Sequence, residues 1–287
     1  MQVEQVTGPE AHHGEGPVWA SWNVSGTDTG LRYVDMLAGK VLSLGADGTV
    51  SATQVGTVAA ALRPRDRGGM VVAVEREFAL VSEAGTVQPL GTLWDDETVR
   101  FNDGGTDPDG RFYCGSMGYD KRTGAGSMWR IRPSGEVQRL WDDVTISNGL
   151  AWSPDGGTVY YVDTVPHEVY AFDYDGEIDV SSRRVLIDVP DDAGGPDGLT
   201  VDAEGGLWIA LFGGSAVQHY APDGKLLERI ELPVSKVTAC TFGGENLDEL
   251  YITTSRQGLD DGDEPEAGAV FRAVPGVRGL PAVPFAG

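Results

Sequence analysis

The sequence repeats itself in a way that few folds can absorb. A turn followed by a short run of β-branched and aromatic residues reads DPDGRFYCG at 107–115, SPDGGTVYYVD at 153–163 and DAEGGLWIA at 202–210. Looser copies are SGTDTGLRYVD at 25–35, RDRGGMVVAVE at 65–75 and GENLDELYITT at 244–254. Glycine at the turn supplies the positive φ that tight hairpins need. With Gly110, Gly156 and Gly205 as markers, the spacings are 46 and 49 residues. A second series of turns falls between the first, marked by Gly48, Gly85, Gly135, Gly176 and Gly224 at separations of 37, 50, 41 and 48. Each period therefore holds two hairpins, hence four strands. Four strands every ~45 residues is the arithmetic of a propeller blade. Six copies within 287 residues predict an all-β, six-bladed β-propeller of four-stranded antiparallel blades around a central channel. The whole chain, 1–287, is expected to form that one domain. The segment QVEQVT at its start is the expected outer strand of the last blade, beside AGAVFRAV, so that no sheet edge stays open.

Composition agrees with a turn-rich globular chain and excludes several partners. The 41 glycines come without a collagen period, and 40% of residues are apolar, enough for a buried core. Against 21 Lys and Arg stand 44 Asp and Glu, a formal charge of −23. Nucleic acid and anionic membrane surfaces are both poor partners for such a chain, because each requires clustered cations. No apolar run approaches the ~20 residues that span a bilayer, and MQVEQVTGPE lacks the features of a signal peptide. A cytoplasmic location is expected. Cys114 and Cys240, both in apolar runs, are expected to be buried free thiols. No feature of the sequence fixes an oligomeric state.

The chemistry is expected where blades begin, since those segments gather at one mouth of the channel. Four of them place Asp, Asn or Glu beside Gly: HHGEGPVW at 12–19, RFNDGGTDPDG at 100–110, ISNGLAWSPDG at 146–156 and GPDGLTVDAEG at 195–205. If the blades are equivalent, Glu15, Asn102 or Asp103, Asn148 and Asp197 converge. Two carboxylates with amides make an oxygen-rich set suited to a hard divalent cation. Taken singly, Asx-Gly before a strand is turn chemistry, but Glu is a poor turn former. His12 and His13 are expected to be exposed loop residues, and Lys236 a solvated or structural cation. LDDGDEPE at 259–266 reads as a solvated insertion. No Gly-x-Ser-x-Gly elbow, zinc spacing or phosphate loop occurs, which disfavours serine esterases and nucleotide enzymes.

HHGEGPVW, RFNDGGTDPDGRFYCGSMG, ISNGLAWSPDG, PDGLTVDAEGGLWIA, LPVSKVTACTFGG and the closing PFAG, in this order, resemble the six-bladed propellers related to gluconolactonase and regucalcin. The resemblance spans nearly the whole chain. It implies one divalent metal, Ca²⁺, Zn²⁺, Mg²⁺, Mn²⁺ or Fe²⁺, held by Glu15, Asn148 and Asp197, with Asp197 also the catalytic acid/base. It implies substrate contacts from Arg100 and Asn102. A further sugar-binding carboxylate of the family has its nearest match in Asp120 of GSMGYD. The implied reaction is hydrolysis of a gluconolactone-like sugar lactone to the aldonic acid, with water activated at the metal or by Asp197. The alternatives are a regucalcin-type metal-binding protein with little turnover, or a lactonase or esterase of a non-sugar substrate. An interaction scaffold is disfavoured by carboxylates and amides at the axial mouth.

Overall fold

Six four-stranded antiparallel sheets stand around an axis in the computed structural model, which describes residues 1–260 and 262–287. The chain is a six-bladed β-propeller. Blade 1 is Gly14–Ser21, Thr29–Asp35, Lys40–Leu44 and Val50–Gln54, and blade 2 is Ala59–Pro64, Met70–Val74, Glu77–Val81 and Val87–Thr92. Blade 3 is Val99–Thr106, Phe112–Gly118, Gly126–Ile131 and Val137–Val144, and blade 4 is Ser147–Trp152, Thr158–Asp163, Glu168–Tyr174 and Ile178–Asp188. Blade 5 is Gly195–Val201, Leu207–Phe212, Ala216–Tyr220 and Leu226–Glu231. Blade 6 takes Val237–Gly243, Glu249–Thr254 and Phe271–Ala273 from the end of the chain, and its outermost strand is Val3–Gln5 from the start. Val3 faces Ala273 and Gln5 faces Phe271 across that pair.

Burial grades outward within a blade. Val99–Thr106, an inner strand, is buried at every position, whereas the outermost strand of blade 4, Ile178–Asp188, buries only Ile187. An inner strand is covered by neighbouring blades on both faces, so its positions are buried without the alternation of a half-exposed strand, polar ones included. Neighbouring blades meet through aromatic pairs: Trp94, in the connection after blade 2, stacks on Trp129 of blade 3 with centroids 5.3 Å apart, and Trp19 of blade 1's inner strand on Tyr251 of blade 6 at 5.2 Å. Each large buried aromatic contributes roughly 1.5–3 kcal/mol of burial free energy.

The repeated turn signature has a local cause. Asp107 opens DPDGR and accepts the backbone N–H of Asp109 and Arg111 at 3.1 and 2.8 Å. Asp202 opens DAEGG and accepts those of Glu204 and Gly206 at 2.9 and 2.8 Å. In each case one carboxylate organises a whole hairpin turn. The turn glycine Gly205 sits at φ +88°, where a side chain would be strained. Cys114 and Cys240 are buried free thiols, as expected from sequence.

The C-terminal residues lie against the mouth opposite the one where the blades begin. Phe285 is buried, its N–H bonded to the Pro64 carbonyl at 2.8 Å, and Arg65 Nε donates to the Gly287 carbonyl at 2.8 Å. Leu280–Pro284 wall one side of a cavity of about 610 Å³ on that face.

Candidate metal and substrate centre

The site is built by a backbone irregularity repeated around the ring. In blade 3, Phe101 pairs with Ser116 and Gly104 with Cys114, so three steps on the inner strand match two on its neighbour. The same excess of one residue occurs between Ser147 and Leu150 in blade 4, and between Pro196 and Leu199 in blade 5. Blade 1 repeats it between Glu15 and Val18. Such bulges re-aim side chains out of the pleat. Asn102, Asn148 and Asp197 each occupy the first bulge position of their blade, and Glu15 stands immediately before its own.

The glycines that follow serve packing more than turning. A Cβ on Gly149 would lie 2.6 Å from the Leu199 backbone nitrogen in blade 5, and one on Gly198 would lie 2.8 Å from Ala239 Cα in blade 6. Neighbouring inner strands approach so closely that only glycine fits. The Asx-Gly pairs are therefore an axial device, a polar side chain followed by a point of blade contact.

The bulges deliver Glu15, Asn102, Asn148 and Asp197 to the wall of one cavity of about 120 Å³, together with His13, Arg100 and Lys121. A directional hydrogen-bond chain fixes the amides across three blades. Arg100 Nη1 donates to Asn102 Oδ1 at 2.7 Å, and Asn102 Nδ2 donates to Asn148 Oδ1 at 3.0 Å and to the Ser147 carbonyl at 2.7 Å. Asn148 Nδ2 then donates to Thr164 Oγ1 at 2.7 Å, whose hydroxyl bonds the Pro196 carbonyl at 2.8 Å. Between Asn102 and Asp103, the bulge assigns the amide to the cavity wall. Asp103 accepts its neighbour Gly104's N–H at 2.7 Å, and burial raises its carboxyl to about 6, opposed by the Arg63 charge.

The two carboxylates of the cavity are both held well above the ordinary range. Burial is the main cause for Asp197, with the Glu15 and Asp103 charges adding to it. Burial is likewise the main cause for Glu15, with the Asp103 charge next. Asp197 Oδ1 is buried and has no hydrogen-bond partner among the described residues. An orphaned carboxylate oxygen in an all-oxygen donor set, beside a second proton-avid carboxylate, fits a divalent cation. Glu15, Asn148 and Asp197 are the residues that would hold it. Among the described residues no cluster of three or more His, Cys, Asp and Glu side chains forms a metal site. The set here has only two carboxylates and needs the amide of Asn148 to complete it.

His13 departs from the sequence expectation. It is buried, 6% exposed, while His12 is exposed. Its Nδ1 pairs with Ser255 Oγ at 2.7 Å, and Nε2 lies 4.0 Å from Glu15 Oε1. Burial, reinforced first by the positive charge of Arg100, lowers the ring to about 3, so the contact with Glu15 is not an ion pair at neutral pH. Asp35, the end of RYVD, holds this entry segment by accepting the N–H of His12 at 3.2 Å and His13 at 3.0 Å. Asp163, the end of YYVD, does the same in blade 4 for Thr145 and Ile146, at 2.9 Å each.

Asp120 is not part of the cavity wall. It is exposed and accepts from Arg122 Nη1 at 3.1 Å; the next residue, Lys121, lines the cavity instead. The physical reason is the turn itself, in which Lys121 adopts φ +59° and bonds back to the Gly118 carbonyl at 2.9 Å. Lys236 donates to the Gln257 carbonyl and sits 5.8 Å over the Phe212 ring, a structural cation as expected. Of LDDGDEPE, Asp261 lies outside the described residues; Glu264 Oε2 accepts the Ser235 N–H at 2.7 Å.

Comparison with known proteins gives a consistent group. The family model described as the SMP-30/Gluconolactonase/LRE-like region matches residues 13–256. Regucalcin of Bos taurus is 36% identical over 301 residues, covering 100% of this chain and 99% of that protein. The structure of regucalcin from Agrobacterium tumefaciens, a calcium-binding protein, superposes with a TM-score of 0.88 at 29% identity, covering 98% of this chain and 95% of that one. A gluconolactonase from Xanthomonas campestris has a TM-score of 0.73 at 26% identity, covering 94% and 88%.

Proposed function

Since this chain belongs to the SMP-30/gluconolactonase/LRE-like family, we propose that its cavity hydrolyses a sugar lactone of the gluconolactone kind to the aldonic acid. The observation that carries this reading is the convergence of Glu15, Asn102, Asn148 and Asp197, from four blades, on one cavity with Arg100. A divalent cation held by Glu15, Asn148 and Asp197 would polarise the lactone carbonyl as a Lewis acid. Arg100, held by Asn102 Oδ1, presents guanidinium donors that orient the substrate hydroxyls, and Asn102, whose two N–H groups are spent on Ser147 and Asn148, offers the substrate its carbonyl oxygen. Asp197 accepts the proton of the attacking water as the new carbon–oxygen bond forms. It returns that proton to the ring oxygen as the carbon–oxygen bond of the ring breaks. Burial of Asp197 strengthens its affinity for the proton it must carry. His13, neutral and fixed by Ser255, adds no positive charge beside Glu15.

A second reading, cation binding with little turnover, has the full-length similarity to regucalcins behind it. The two separate in one experiment. Acid release from gluconolactone is followed at constant pH with chelated protein, then with Ca²⁺, Zn²⁺, Mg²⁺, Mn²⁺ or Fe²⁺ added, while calorimetry records cation binding. Lactone hydrolysis above the spontaneous rate, lost on chelation and restored by a cation, is expected. Asp197→Ala is expected to lower it by roughly 10³-fold, about 4 kcal/mol of barrier, and to abolish cation binding. Undiminished hydrolysis by that variant overturns the assignment, and tight binding without acid release selects the second reading.

A further inference from the structure

A cation and a neutral sugar give the cavity's polar groups their work, but leave the positive charge of two of them without a partner among the described residues. Arg100 is only 6% exposed. Its Nη1 is spent on Asn102 Oδ1, the Phe101 carbonyl and Met36 Sδ, and its Nε has no partner among the described residues. A buried guanidinium is costly unless its charge and donors are met. Tyr119 covers one face of it, with the guanidinium carbon 5.6 Å from the ring centroid.

The second group is Lys121, two residues on from Tyr119. The turn that carries it is pinned on both sides. Tyr119 OH donates to Glu75 Oε1 at 3.0 Å, and Arg122 bridges Asp120 and Asp96 at 3.1 and 3.0 Å. Within this turn Asp120 and Arg122 satisfy each other, while Lys121 makes no ion pair among the described residues. Lys121 is also held in the left-handed region at φ +59°, a conformation that costs a non-glycine residue of the order of 1 kcal/mol. That strain places the lysine on the cavity wall at its exposed rim. In a chain of net charge −23, one cavity wall thus carries two positive groups with no ion pair among the described residues.

We propose that the lactone accepted here carries an anionic group, carboxylate or phosphate, remote from the reacting carbonyl, and that Lys121 receives it at the rim beside Arg100. This inference rests on the lactonase reading and narrows it: the preferred substrate is an acidic lactone, such as one from an aldaric acid or a sugar phosphate. Lys121 is then a specificity-determining residue for the anion, with the reacting carbonyl held deeper, towards Asp197.

The test compares gluconolactone, glucarolactone and phosphogluconolactone on the full chain supplied with the activating cation, spontaneous hydrolysis subtracted. For at least one acidic lactone, kcat/KM is expected to exceed that for gluconolactone by about tenfold or more, carried by KM. Which acidic lactone is favoured distinguishes carboxylate from phosphate. In Lys121→Gln that ratio falls about tenfold through KM, and Lys121→Arg retains it. A wild-type ratio near one, or a ratio that Lys121→Gln leaves in place, overturns the proposal. If no lactone is turned over, the lactonase reading fails by itself, and calorimetry with glucarate and gluconate decides the anion question. Tighter glucarate binding that Lys121→Gln abolishes supports the anion site; equal binding of the two acids overturns it.

Discussion

Blades 2 and 6 carry the same inner-strand bulge as blades 3, 4 and 5, yet their bulge residues bring no carboxylate or amide to the cavity. In blade 2 the extra residue is Ala60, between Ala59 and Ala61, and in blade 6 it is Thr238, between Val237 and Ala239. Ala60 is wholly buried. Thr238 turns its hydroxyl to the Gly14 carbonyl of blade 1 at 2.6 Å and to Thr253 Oγ1 at 2.9 Å. The backbone device is thus common to the ring, and the side chain placed on it decides the use. Asn or Asp at the bulge builds a site, Ala fills space, and Thr staples one blade to the next.

Three substitutions sharpen this contrast. The largest effect is expected from Ala60→Asp, which buries a carboxylate where no donor awaits it. Urea unfolding should show a loss of several kcal/mol, whereas a variant as stable as the wild type would mean that blade 2's bulge also opens on the cavity. Next is Asp103→Asn. The Asp103 carboxyl titrates at about 6 in the folded chain against an ordinary 3.8. A raised carboxyl favours the fold while it is protonated, below 3.8, and that contribution is lost as pH rises through about 6. In chelator, the wild type should lose about 2 kcal/mol relative to Asp103→Asn between pH 4 and 6, read from urea midpoints at each pH. An unchanged difference across that window would refute the titration. The smallest is Thr238→Val, which leaves the Gly14 carbonyl short of a donor. It should cost about 1–2 kcal/mol in thermal or urea unfolding, and a neutral result would remove the staple.

The ring was legible because glycine and aspartate turns recur at a nearly constant interval, and local turn chemistry needs no knowledge of distant contacts. The four axial motifs were legible for the same reason. His13 was not. Its burial depends on Asp35, 22 residues on, and on Ser255, 242 residues on, and neither partner is marked in HHGEGPVW. The HH pair before GEGPVW offered the one available signal, a polar segment leading directly into an inner strand. Lys121 escaped because a single left-handed residue moves the cavity-facing position one step along GSMGYDK. The choice between Asn102 and Asp103 turned on a bulge that spacing alone does not reveal.

The pairing of Val3–Gln5 with Phe271–Ala273 has a consequence for biosynthesis. A ribosome releases the first of these strands long before it makes the second, so the ring has no partner for its starting edge while the five intervening blades emerge. Contacts of such sequence separation are slow to form. Until they do, the nascent chain exposes an unpaired strand edge, and the circle closes only once both ends of the chain are available.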